Sequence, residues 1–489
     1  MKHIALVVIT MLTVAFAAAA AAPPPVGRLP KREFRGAWLH TVYQEGYLLR
    51  TTAQNQAFIR NQLDSLRLAG INAVLFQVRP QADAFYASAY EPWSRYLTDD
   101  GKAPSPLWDP LAFIIAEAHA RGMELHAWLN PYRVTASKRQ VVAPQHKYYH
   151  SHKDRFVRYG GKIYFDPGIP ENRDFIVDVV ADIIDHYDVD GIHFDDYFYP
   201  YPERGLAFAD DTSYSRYGGD TDRDDWRRSN VDKLIEAIHT LISQRKPWVR
   251  FGISPFGIWR NHTSDPRGSD TAGLENYDAL YADVLLWAER RWVDYLIPQL
   301  YWKLDHRVAP YRVLAPWWDS NSCGCQIYIG QDIACTMRED ELAVKLQMTR
   351  AAEAIKGNCW WPGYDISANR GGIADSLATT HQATIALPPT YPHISSAAPR
   401  HSPKTRLHSD GVTISWSVPK PQGKVSDEVR FVVYRFSADS VIDIDDPANI
   451  IAVTDADHYT ATAPGIYAVT ALDRVNNESH PSKPITIKP

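Results

Sequence analysis

From Phe34 to about Pro388, short apolar runs alternate with longer amphipathic segments. The short runs show the two-residue alternation of strands, and the longer ones carry Ile, Val and Leu at helical spacing. The predicted strands are Arg35–His40, Ala73–Val78, Glu124–Leu129, Gly191–Asp195, Arg250–Ser254, Tyr295–Gln299, Gln326–Gly330 and Asn358–Trp361. The predicted helices are Thr52–Ala69, Pro110–Arg121, Asn172–Tyr187, Trp226–Arg245, Tyr281–Arg290, Val308–Trp318, Glu339–Lys356 and Gly372–Ala378. Strands alternating with helices imply a parallel sheet with right-handed crossovers. Eight such units predict a closed (β/α)8 TIM barrel over residues 33–388, with 134–165 and 200–225 as long insertions. An open doubly wound sheet would place a Gly-rich phosphate loop after the first strand, and Gly36 alone does not supply one.

The tail follows another rule. After Pro388, Pro389 and Pro392, the runs Val412–Trp416, Glu428–Phe436, Ile450–Thr454 and Gly465–Leu472 read as strands separated by turns. They predict a small all-β sandwich over residues 389–489. Its pattern of Ile414-Ser-Trp416, Val432-Val-Tyr-Arg435 and Tyr467 to Arg474 resembles a fibronectin type III module, which implies a spacer or docking role.

At the other end, Lys2 and His3 precede an apolar run to about Phe16 and an alanine tract to Ala22. This reads as a secretory signal peptide over residues 1–22, too short for a membrane span. The expectation is export to the periplasm or beyond, with no stable membrane insertion once the leader is removed. The formal net charge of −5, with scattered basic residues, argues against a nucleic-acid partner. Of the four cysteines, Cys323 and Cys325 are too close to pair comfortably with each other. Structural thiols, or bridges from them to Cys335 and Cys359, are expected over a zinc site, because the spacing fits no familiar zinc pattern.

The chemistry is concentrated in Val-Asp-Gly-Ile-His-Phe-Asp-Asp-Tyr-Phe-Tyr-Pro, residues 189–200. An apolar strand breaks there into two adjacent carboxylates and a cluster of rings. Buried carboxylates are costly unless they are paired, hydrated or used. By alternation Asp195 shares the barrel-inward face with His193 and Gly191, while Asp196 points the other way or sits on the loop. Working residues of such barrels lie at the C-terminal ends of the strands. Those ends supply His40, Arg79, Asn130, Arg133, His193, Gln299, Tyr301 and Asp365 as candidate substrate contacts, and Tyr132, Tyr197, Trp259 and Trp302 as stacking platforms. Many donors and acceptors beside flat apolar surfaces suit a hydroxyl-rich ligand. With 15 Trp and 27 Tyr the chain has rings to spare for this. A glycan or oligosaccharide substrate is therefore expected. Arg79 and Arg133 at one rim would suit an acidic group on the sugar.

The motifs Phe34-Arg-Gly-Ala-Trp38, Gln77-Val-Arg-Pro80, Asn130-Pro-Tyr-Arg133, Asp190 to Pro200, Ile253-Ser-Pro-Phe-Gly257 and Pro298-Gln-Leu-Tyr-Trp302 resemble glycosyl-hydrolase-like family ten. The resemblance implies a (β/α)8 glycosidase-type domain in exported bacterial proteins, some of which act on peptidoglycan glycan strands stripped of their peptides. The spacing Gly191-x-His193-x-Asp195 is also similar to strand four of α-amylase-type barrels, where the Asp is the nucleophile. His193 there replaces an Arg, and Ser254 stands where those barrels carry a Glu acid.

Glycosidases need one neutral and one ionised carboxyl group. Asp195 is the expected ionised member, and Asp196 is a candidate acid, a sugar contact or a brace for an arginine. Asp305, just beyond Trp302, is the favoured partner, with Asp365, Glu275 and Asp83 as alternatives. No cofactor is implied. Two rival readings are a metal-dependent hydrolase using His40, His126, His193 and Asp195, which lacks a His-x-His on strand one, and a non-catalytic carbohydrate-binding protein.

Overall fold

The computed structural model describes residues 28–399, 401–437 and 441–488. The leader reading falls outside them. Eight parallel strands close into a barrel: β1 Phe34–Leu39, β2 Ala73–Arg79, β3 Glu124–Leu129, β4 Gly191–Phe194, β5 Arg250–Ile253, β6 Tyr295–Leu296, β7 Gln326–Asp332 and β8 Ile355–Trp361. Each strand pairs with its sequence neighbours, and β8 closes on β1 with Phe34 opposite Gly357. The outer helices are α1 Thr52–Leu68, α2 Pro110–His119, α3 Pro170–His186, α4 Arg223–Arg245, α5 Val284–Glu289, α6 Tyr311–Ser320, α7 Leu342–Ala351 and α8 Ile373–Ser376. The alternating pattern thus gives the predicted barrel. Local chemistry marks the helix starts: Thr51 and Gln54 form a capping box on α1, and Asp109 accepts from the Ala112 amide ahead of α2.

Two departures have local causes. The helix expected over Glu339–Lys356 is shorter, because Asp340 takes a left-handed φ of 55° before α7 and Ile355 and Lys356 already belong to β8. The insertion 134–165 contains an antiparallel hairpin, Phe156–Tyr159 with Lys162–Phe165. Gly160 and Gly161, both at positive φ, make its two-residue turn.

Rings fill the barrel interior, and glycines make room for them. Phe34 stacks on Tyr328 at 3.9 Å, and Tyr295 lies 5.3 Å from Tyr328. A Cβ on Gly252 would meet the Tyr295 ring at 2.0 Å, and one on Gly191 would meet His126 at 2.4 Å.

Beyond the barrel, β9 Lys404–Leu407, β10 Thr413–Ser417 and β13 His458–Thr460 form a three-stranded antiparallel sheet. The second sheet has four strands, β11 Glu428–Phe436, β12 Ile450–Thr454, β14 Gly465–Asp473 and β15 Ile485–Ile487, in the order β12-β11-β14-β15. Three of the seven strands, β9, β13 and β15, are too short or too exposed to stand out by alternation. This module docks at the N-terminal ends of the barrel strands. There Glu124 at the start of β3 forms an ion pair with Arg250 at 2.5 Å and accepts from Asn476 at 2.9 Å and from Arg430 at 3.3 Å. Cys323, Cys325, Cys335 and Cys359 are all free thiols. Among the described residues no helix is long and apolar enough to cross a membrane.

Candidate active site

At the C-terminal ends of the strands lies a cavity of about 350 Å³. Trp38 and His40 reach it from β1, Gln77 from β2, Trp128 from β3 and Trp361 from β8. Arg133, Asp195, Tyr197, Ser254, Gln299 and Tyr301 come from the loops that follow β3 to β6, and Val42 and Tyr43 from the loop after β1. Asp195 is the one carboxylate among these lining residues.

Asp195 is held from two sides. Asn130 Nδ2 donates to its Oδ2 at 3.4 Å, and the Asp196 amide donates to its Oδ1 at 3.0 Å. Burial pushes its carboxyl up, against the opposing charge of Arg133. Asp196 turns behind it, 2% exposed, and accepts from the Tyr201 hydroxyl. Burial and then the charge of Asp195 drive the Asp196 carboxyl well above the usual range. Asp196 is thus the more readily protonated of the two, since the charge of Arg133 draws only the Asp195 carboxyl back down.

Several predicted contacts prove to be supports. Arg79 is fully buried; it pairs with Glu91 at 2.6 and 2.7 Å and donates to the carbonyls of Asn130 and Pro131. It is therefore unavailable to a substrate carboxylate, and it fixes the turn that presents Asn130. Asn130 is itself sealed and serves Asp195. His193 lies beneath the floor, accepting at Nε2 from Ser254 Oγ at 3.0 Å and from Trp38 Nε1 at 3.4 Å. Since Trp38 can only donate, the His193 proton is on Nδ1, facing the Tyr295 hydroxyl at 3.3 Å. That hydroxyl contacts His126 Nδ1 at 2.7 Å, and His126 Nε2 lies 3.2 Å from Glu124. One chain of hydrogen bonds thus runs from the cavity floor to the sandwich interface. Burial holds the His193 imidazole well below its ordinary pKa, so it is neutral.

Other predicted residues lie elsewhere. The Asp305 side chain is 78% exposed and pairs with Arg312, so the favoured second carboxyl group is on the surface. Trp259 is buried against Trp317 and Tyr277, and Tyr132 is buried with its hydroxyl unpartnered. Trp302 packs edge-on against Phe256 outside the cavity lining. Asp365 pairs with Arg370 at 2.7 Å. Of the alternatives, Glu275 caps the Asn261 loop and Asp83 lies in a neighbouring cavity.

His40, Arg133, Tyr197, Gln299 and Tyr301 do line the cavity. His40 is pushed down to about 4 by burial and is neutral; Gln44 donates to its Nε2 at 2.7 Å, which leaves Nδ1–H without a partner. The Arg133 guanidinium sits 4.9 Å from the Tyr197 ring. The residues not singled out as contacts are chiefly Trp38, Tyr43, Gln77, Trp128, Ser254 and Trp361. Most stand at strand ends, where position alone marked them. Tyr43 does not: it takes a left-handed φ of 60° in a loop pinned by Gln77, whose Oε1 accepts from the Thr41 and Val42 amides at 3.0 Å. Among the described residues no group of three or more His, Cys, Asp and Glu side chains is placed to hold a metal ion.

A (β/α)8 barrel with a buried aspartate pair and aromatic walls at its C-terminal rim defines a glycosidase-type domain. The chain belongs to the family Glycosyl hydrolase-like 10, whose sequence profile matches residues 33–339. It is 37% identical over 486 residues to glycosyl hydrolase YngK of Bacillus subtilis (strain 168), with 93% of each chain covered. It is 40% identical over 324 residues to glycosyl hydrolase DigH of Escherichia coli (strain K12), covering 60% of this chain and 73% of that one. Among solved structures, the endo-β-1,4-mannanase from Thermotoga petrophila aligns at 11% identity with a TM-score of 0.42, over 94% of this chain and 97% of that one.

Proposed function

We propose that this protein is an exported glycoside hydrolase acting on peptidoglycan glycan strands, with Asp195 and Asp196 as its working carboxyl groups. The observation that carries this reading is the placement of the pair: Asp195 is the one carboxylate facing an aromatic-walled cavity, and Asp196, whose carboxyl burial and the Asp195 charge drive higher, lies directly behind it. Consecutive residues do not straddle a glycosidic bond, so the pair does not fit two protein carboxylates on opposite faces of the sugar. It fits neighbouring-group participation. The carbonyl oxygen of a 2-acetamido group attacks the anomeric carbon, Asp195 accepts that amide's N–H, and the Asp196 proton reaches the departing oxygen through a water, since Asp196 itself does not line the cavity. Water then opens the cyclic intermediate and returns a proton to Asp196. Both sugars of peptidoglycan carry the required group. Trp38, Trp128 and Trp361 supply apolar walls, and His40 and Gln299 supply polar contacts.

The leader pattern supports export. The two sheets, of three and four strands, support a fibronectin type III-like spacer for the C-terminal module. The test is incubation of the full mature chain with peptide-free strands, before and after de-N-acetylation, followed by mass analysis. Reducing ends should form only from N-acetylated strands and vanish with Asp195→Asn. Turnover undiminished in that variant would remove Asp195 from the mechanism, and glycan binding without cleavage by the wild type would favour a carbohydrate-binding protein.

A further inference from the structure

A second cavity, of about 320 Å³, opens on the same rim as the first, between the loops that follow β2 and β3. A thin wall separates the two. Arg133 lines the catalytic cavity and the next residue, Val134, lines the second. Tyr43, from the catalytic side, donates to the carbonyl of Ala136 at 2.7 Å. The amide of that residue is held by Gln81 and Gln140, which both face the second cavity. A cleft with two adjoining pockets is what a polymer needs if more than one of its units is to be held.

The chemistry of the second pocket is distinctive. Arg95 and Arg139 stand exposed at its mouth, and among the described residues neither guanidinium has an ion-pair or hydrogen-bond partner. Most other arginines on this face are engaged: Arg79 by Glu91, and Arg133 by the Pro80 carbonyl and the Tyr197 ring. Asp83 lines the pocket from within, 5% exposed, with Oδ2 accepting from Gln81 and the Arg95 amide and Oδ1 left without a partner. Asp99 stands on the rim as a further acceptor, and Val141, 82% exposed, offers an apolar edge. Two free guanidinium groups, buried and rim carboxyls and a small apolar surface match a sugar that carries both hydroxyls and a carboxylate.

We propose that this cavity is a distal subsite of the same glycan cleft, in which Arg95 and Arg139 pair with the carboxylate of an acidic sugar such as the lactyl ether of muramic acid. The proposal rests on the glycan-strand reading above and adds where, and through which groups, the strand's acidic units are recognised.

The test uses the full-length chain carrying Asp195→Asn, so that binding is measured without turnover. Calorimetry would compare peptide-free peptidoglycan strands with chitin oligosaccharides of equal length, which share the 2-acetamido backbone and lack the carboxylate. Adding Arg95→Gln and Arg139→Gln together should weaken strand binding about five- to tenfold and leave chitin binding unchanged. Both arginines are exposed, so the fold should tolerate the change. Equal affinity of the double variant and its parent for the strands would overturn the subsite while leaving the hydrolase reading intact, as would an equal loss for both probes. If the Asp195→Asn chain bound neither probe, the hydrolase reading would fail and the subsite with it.

Discussion

Arg79 and Glu91 form a two-point ion pair, at 2.6 and 2.7 Å, with both side chains sealed from solvent. The arginine is at the end of β2 and the glutamate twelve residues on, in the following loop. Through its remaining nitrogen Arg79 grips the backbone at Asn130 and Pro131, and Asn130 in turn donates to Asp195. Removing one partner of such a pair leaves an uncompensated buried charge. Glu91→Ala should therefore destabilise the fold by about 3–5 kcal/mol, read from denaturant unfolding. Glu91→Gln should cost less and lower turnover more than it raises KM, because its effect reaches the reaction only through the position of Asp195.

Burial raises the carboxyl groups of both Asp195 and Asp196, so ionising either one costs stability. Asp195→Asn and Asp196→Asn should each lower turnover by about 10²–10⁴-fold. Neither should lower the unfolding midpoint at neutral pH. A fall in stability matching the fall in rate would point to a purely structural role.

Asp232 on α4 is half-buried; burial pushes its carboxyl up to about 7, although the Trp287 indole donates to it at 2.7 Å. A raised acid binds more protons folded than unfolded, so its contribution to stability falls as pH rises from about 4, the unfolded value, towards about 7. Asp232→Asn should flatten that part of the pH–stability curve, stabilise the chain above the window and change nothing at about pH 3. Parallel curves for mutant and wild type would contradict this.

The sandwich and the barrel share the charge of Glu124, with Arg430 reaching it from β11 and Arg250 from β5. Arg430→Ala should cost about 1.5–3 kcal/mol, the range for a hydrogen bond to a charged group. Thermal unfolding followed by circular dichroism would show a lowered midpoint. An unchanged midpoint would mean that the docked module adds nothing through this contact.

The barrel was legible because strands and helices differ in hydrophobic period, and those periods survive in the sequence wherever one face is buried. The inward position of Asp195 was legible for the same reason, two residues beyond His193 on one strand. The contacts assigned to Arg79, Tyr132 and Trp259 were not separable from core packing by sequence. A polar or aromatic residue at a strand end can face the cavity or turn beneath it, and alternation fades once the chain leaves the strand.

Sequence alone thus determined the eight-fold alternation, the all-β tail, the family and the carboxylate pair, since each rests on local periodicity or an unbroken motif. Only the tertiary structure decided which groups those carboxylates meet. Glu91 reaches Arg79 from a loop without any period, Asp305 is drawn out to Arg312, and Glu124 meets a guanidinium more than three hundred residues away. Partners of that kind are chosen by chain crossings and shared burial, which no local spacing records.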